Sequence, residues 1–232
     1  MAGQRTPRRG WLLALLALVV LAAVAGWFMT QDHPAQDTRT PQHVLPTGVA
    51  APPTTTTNPT RSCAITWFPA PDLTPVPRSD CAGPTTVTAT QAKGFSHDQL
   101  GAVIAAINIT TRITSAAGPA AYRSTLAEQT VGDAQAALTD VAGEQSDSSA
   151  SQTRPDHWWY RIGAGNPQGD LVEVDLVAST PQTRAQNEYA ALSATVRWVD
   201  GDWKVQLPRP RATPITSTAG YAALGTITTG GS

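Results

Sequence analysis

With 16 lysines and arginines against 17 aspartates and glutamates, the 232-residue chain carries a formal net charge of −1. That balance excludes a dedicated nucleic-acid-binding module, which needs a basic patch to collect phosphates. The chain has 2 cysteines, an even number and too few for a zinc site built of cysteines alone.

Residues 1–10 read as a basic cytoplasmic tail carrying Arg5, Arg8 and Arg9. Trp11–Met29 follows without a single charge and reads as one transmembrane helix. At a rise of ~1.5 Å per residue it spans about 28 Å, the hydrocarbon thickness of a bilayer. Trp11 and the Trp27/Phe28 pair stand at its ends, where aromatic rings prefer the interface, and the upstream arginines hold the N-terminus inside. A cleaved signal peptide is the alternative, because Ala23-Val24-Ala25 before Gly26 fits a peptidase site. Both readings send the rest of the chain to an extracytoplasmic, oxidising compartment.

Residues 30–60 hold six prolines and nine threonines, a composition that cannot bury enough surface to order itself. We read a linker, about 30 Å end to end as a coil and about 95 Å as polyproline II. Residues 61–95 are expected to be an extended segment closed by a Cys63–Cys81 disulfide, which contributes ~3 kcal/mol in the chain-entropy model. Pro69, Pro71, Pro75 and Pro77 keep it from being helical, and Trp67 and Phe68 either tuck against the main domain or stand out for docking.

Residues 96–208 are expected to form an α+β domain. Ser96 and Gln99 suggest a capping box, after which Leu100, Val103, Ile104, Ile107 and Ile113 recur at helical spacing to about Ala116. Pro119 can open a second helix with Tyr122 and Leu126 inward, and Gly132 or Asp133 a third carrying Ala137, Leu138 and Val141. The period then changes to two. Trp158, Tyr160 and Ile162 mark a first strand, Val172, Val174 and Leu176 a second, and Leu192, Ala194, Val196 and Trp198 a third. Asp200-Gly201 closes a hairpin back to Trp203, Val205 and Leu207. A two-residue turn sets Trp198 opposite Trp203, Val196 opposite Val205 and Ala194 opposite Leu207, with Arg197 and Lys204 together on the wet face. Residues 209–232 read as an extended C-terminal tail.

Helices followed by an antiparallel sheet that ends in VRWVDGDWKVQL resemble the cone-shaped nuclear transport factor 2-like fold, about three helices on a four-stranded antiparallel sheet. With the single span and the tether, the arrangement is similar to the inner-membrane scaffold family of type IV secretion and conjugation. GFSHDQLGAVIAAINITTRI and TPITSTAGYAAL resemble segments of actinobacterial single-pass proteins of conjugative and mobile elements. The resemblance implies an assembly component without catalytic residues, whose partners are the membrane, other subunits of a complex and further copies of itself. One departure is that Gly220-Tyr221 is followed by Ala222, Ala223 and Leu224 where related chains carry a tryptophan-containing motif.

No nucleophile elbow accompanies His97 or His157, and Gly163-Ala164-Gly165 opens no helix as a phosphate loop would. Glu173 and Asp175 share one strand face, a geometry open to general-base work in a pocket or to plain solvation. The expectation is therefore a non-enzymatic protein with no cofactor, no metal site and no required small molecule, whose interface centres on Trp159 and Arg161, an aromatic beside an arginine. An anchored ligand-binding or transport-accessory protein is the alternative, and a small isomerase or dehydratase a weaker one.

Overall fold

Everything in this domain is built around one helix, α1 (Gln99–Arg112), in which every residue from Gly101 to Arg112 is buried. A helix that is apolar nearly all round belongs inside a protein. The computed structural model describes residues 63–144 and 151–226. The chain divides into two units, Met1–Thr57 and Asn58–Ser232, and the described residues all belong to the second. The expected membrane helix Trp11–Met29 and the linker lie outside the described residues, among which no helix is long and apolar enough to cross a membrane.

Ahead of α1 come two small hairpins, β1 (Ile65–Pro69) with β2 (Pro75–Ser79), and β3 (Thr86–Val87) with β4 (Ala92–Lys93). The expected lasso is thus a paired hairpin, and Cys63 and Cys81 are joined at a Cα separation of 5.7 Å. Trp67 and Phe68 are half-buried against the core, the tucked arrangement of the two considered. The cap of α1 differs from expectation. Asp98, not Ser96, accepts from the Gly101 amide at 2.8 Å, since the helix begins at Gln99 and Asp98 stands at its N-cap, while the Ser96 carbonyl accepts from Trp203 Nε1 at 2.8 Å. Gly101 is required there, since a Cβ would sit 2.0 Å from that carbonyl oxygen.

After α1 follow α2 (Pro119–Glu128), β5 (Thr130–Val131) and α3 (Ala134–Gly143), the last capped by Asp133. The remaining strands are β6 (His157–Gly165), β7 (Leu171–Ser179), β8 (Tyr189–Val199), β9 (Asp202–Gln206), β10 (Thr213–Ile215) and β11 (Ala222–Thr226), with the short helix α4 (Pro181–Ala185) between β7 and β8. The β8–β9 hairpin pairs Trp198 with Trp203, Val196 with Val205 and Arg197 with Lys204, and both Asp200 (φ 56°) and Gly201 (φ 80°) take the positive φ the turn requires. Ala194 does not meet Leu207, whose amide bonds the Val131 carbonyl at 2.8 Å instead.

The four-stranded antiparallel cone is not what forms. The sheet has seven strands in the order β11-β6-β7-β8-β9-β5, with β10 also on β8, and β5 runs parallel to β9. The tail expected to be merely extended supplies two of these strands. Its residues 216–221 carry the chain from the β8 side of the sheet to the β6 side, strapping the face turned away from α1. Against α1 the other face buries Trp158, Val172, Val174, Leu176, Ala194, Val196 and Trp203.

Asn108, Thr110, Thr111 and Arg112 interrupt the apolar surface of α1. Asn108 Nδ2 donates to the Pro77 carbonyl at 2.9 Å, tying the β1–β2 hairpin down, while Arg112 Nη1 donates to Asn108 Oδ1 at 2.9 Å. Arg112 is 1% exposed. Desolvation pushes its guanidinium down to about 10, with Asp72 acting the other way. An Asn108→Ala chain should lose about 3 kcal/mol in urea unfolding, because the hairpin carbonyl and the buried cation lose partners together. In the oxidised protein, mass spectrometry should find no free thiol on Cys63 or Cys81, and reduction should lower the melting temperature.

Candidate functional site

Strand register assembles the face that the strap crosses. Arg161, Asp175 and Ser193 stand opposite one another across β6, β7 and β8. Arg161 Nη2 and Nε donate to Asp175 Oδ2 at 2.6 and 3.2 Å, and Ser193 Oγ donates to the other carboxylate oxygen. Asp175 is only 7% exposed. On the far side of Arg161, the Tyr221 ring of the strap lies 4.6 Å from the guanidinium carbon, close enough for a cation–π contact. The hydrogen bond that Arg161 donates to Asp175 first, and Tyr221 second, hold its guanidinium above the ordinary value.

A bulge in β6 makes this arrangement fit. A Cβ on Gly163 would come within 3.1 Å of Asp175 Oδ2 and 3.2 Å of Glu173 Oε1, so glycine leaves room for both carboxylates. Glu173 and Asp175 are therefore neighbours, as their spacing implies, but they differ in kind. Asp175 is spoken for on both oxygens, whereas Glu173 is half-buried opposite Thr195.

Trp159 and Arg161, the expected interface, have separate partners. Arg161 is held by Asp175 and Tyr221, while Trp159 is half-buried in an aromatic row with His157 at 5.8 Å and Tyr189 at 5.6 Å. Trp159 lies beside β11, opposite Ala223. His97 is exposed, stacks on Trp198 at 4.2 Å and bonds the Gly169 carbonyl through Nε2 at 3.0 Å. His157 sits beside Asp156, with 3.1 Å between Nδ1 and Oδ1. Among the described residues no group of three or more His, Cys, Asp or Glu is placed to hold a metal ion.

A cavity of about 360 Å³ lies elsewhere, at the C-terminal end of α1. Thr110, Thr111 and Thr114 come from the end of that helix, Asp72 from the β1–β2 turn, and Trp158 and Arg209 from the sheet and the start of the tail. Arg209 spans two elements: Nη1 donates to the Ile113 carbonyl at 2.9 Å, and Nη2 meets Asp140 at 2.7 Å and Glu144 at 2.5 Å. Burial would lower the Arg209 pKa, but the bonds to Glu144 and Asp140 outweigh it and the guanidinium stays above its ordinary value. Sequence reasoning missed this cavity, since no motif joins a turn, a helix end and a tail.

The two carboxylates can be told apart by stability. Asp175→Ala should cost about 2 kcal/mol in urea unfolding by leaving the Ser193 hydroxyl and Arg161 without their acceptor. Glu173→Ala should stay within about 0.5 kcal/mol of the parent chain.

No curated protein and no solved structure matches the chain. A family profile does match it, over residues 29–223, from the end of the apolar segment into β11. By that match the chain belongs to the family described as a domain of unknown function, DUF8175.

Proposed function

We propose that the chain is a non-enzymatic, membrane-anchored extracytoplasmic assembly component of a conjugation or secretion apparatus. The observation that carries this reading is the Cys63–Cys81 disulfide, which pins the hairpin covering α1 and persists only in an oxidising compartment. It agrees with the leader, in which a basic tail, an uncharged apolar run and a proline-rich linker succeed one another. The state of Asp175 supports a non-catalytic sheet face. Asp175 accepts from Arg161 on one carboxylate oxygen and from Ser193 on the other, so neither oxygen stands open to a substrate.

A scaffold of this kind works through many copies on one surface. Tethering turns a weak contact into an effectively intramolecular one at ~mM local concentration, so the domain needs only a modest patch. The aromatic row of His157, Trp159 and Tyr189 beside β11 is that patch, and its partner is a second copy of the chain.

Deleting the gene from its element should reduce DNA transfer to recipient cells, and undiminished transfer removes the reading. Trp159→Ala should leave the far-ultraviolet spectrum unchanged while weakening crosslinking between full-length copies in cells. Unfolding of that variant would place Trp159 in the core and dispose of the patch.

A further inference from the structure

The cavity at the end of α1 stands apart from the strapped sheet face, and three of its properties limit what it can hold. Its volume, about 360 Å³, falls at the small end of the range for small-molecule sites. Two of its wall residues carry buried donors without a partner, Trp158 Nε1 and Arg209 Nε. A buried N–H left unmet costs about 1–3 kcal/mol, and native structures leave such groups where a water or a ligand answers them.

The charges around the cavity are already answered. Arg209 is matched by Asp140 and Glu144, and Asp72 receives the Thr74 amide at 3.0 Å and the Thr74 hydroxyl at 2.7 Å while facing the buried Arg112. A phosphate or carboxylate would find Arg209, the cation of the cavity wall, already paired. An acyl chain would strand the polar wall. The hydroxyls of Thr110 and Thr114 donate to the Ala106 and Thr111 carbonyls, which leaves their oxygen lone pairs as acceptors. Ile113, Leu192 and Pro155 supply apolar surface beside these groups.

An indole N–H, the N–H of a guanidinium whose charge is already matched, and hydroxyl acceptors beside an apolar wall fit one kind of small molecule, a ring with hydroxyls at its rim and C–H bonds on its faces. We infer that this cavity binds a single pyranose unit of an uncharged glycan. The site itself is independent of the proposed function. Only the identification of the glycan with the cell envelope rests on the extracytoplasmic reading, under which the linker lets the domain reach envelope polysaccharide while anchored.

The test uses the full chain in phospholipid nanodiscs, a surround free of sugar, and saturation-transfer nuclear magnetic resonance with two probes. N,N′-diacetylchitobiose represents wall-type glycan and maltose represents storage or capsular glucan. Saturable binding of either probe is expected, weakened about tenfold by Thr111→Val, which removes one hydroxyl at constant shape. Trp158→Phe should weaken binding as well by removing the N–H. If that variant does not fold, Thr114→Val replaces it in the comparison. Absence of saturable binding to both probes, or binding indifferent to Thr111→Val and Thr114→Val alike, overturns the inference. Saccharide binding with undiminished DNA transfer on gene deletion would remove the assembly role and leave this site standing, and the converse pair of results would do the opposite.

Discussion

Burying α1 on all sides is the constraint from which the rest of the domain follows. A helix with apolar residues at every angle needs cover at every angle, and the sheet, α2 and the β1–β2 hairpin each supply one part of it. Alanines at positions 102, 105 and 106 let those covers come close. The same enclosure makes polar residues on the helix expensive unless they are answered, and Asn108 is the residue that answers. It faces outward to the proline-rich hairpin and onward to Arg112, so the hairpin is latched by a hydrogen bond as well as by the disulfide. Proline suits that hairpin because Pro77 needs only its carbonyl to serve as the latch.

The second organising feature is the strap. An antiparallel sheet with one face on the core ordinarily leaves the other to solvent. Here residues 216–221 cross it, and Tyr221 and Asp175 enclose Arg161 from two sides. Asp175 is thereby withdrawn from water, while Arg161 stays exposed between its two partners. The glycine at 163 is the local concession that permits it.

Legibility in the sequence tracked the range of the interaction. The β8–β9 hairpin could be read residue by residue because Asp200-Gly201 and the Trp198/Trp203 pair are local signals that agree. The helices from Pro119 and Asp133 were legible for the same reason, each having its own start signal. β5 was not, since Thr130–Val131 is two residues long and exists because β9 lies alongside, with the Val205 amide bonding the Gln129 carbonyl at 3.0 Å. β10 and β11 were missed on similar grounds, for neither TPI nor AALGT alternates in polarity and both are made strands by distant partners. The cap fell to Asp98 and not Ser96 because the helix starts at Gln99, a boundary that the capping-box spacing set two residues too early. At the site, Arg161 was visible as an arginine beside aromatics, but its commitment to Asp175 and Tyr221 was not, and neither was the cavity.

The position of β11 has a consequence for how the domain is made. β6 pairs with β7 as soon as both strands exist, but its other edge receives a partner only when Ala222–Thr226 has been delivered, near the end of the described chain. A chain made from its N-terminus onward therefore pairs this edge of β6 after the other described strands of the sheet exist. During that interval β6 has an open edge, on which the C-terminal strand of a second copy can pair as well as its own. The strap thus sets an order of closure for the domain as well as a shape, because the strand that covers the edge beside Trp159 follows all its sheet neighbours in the chain.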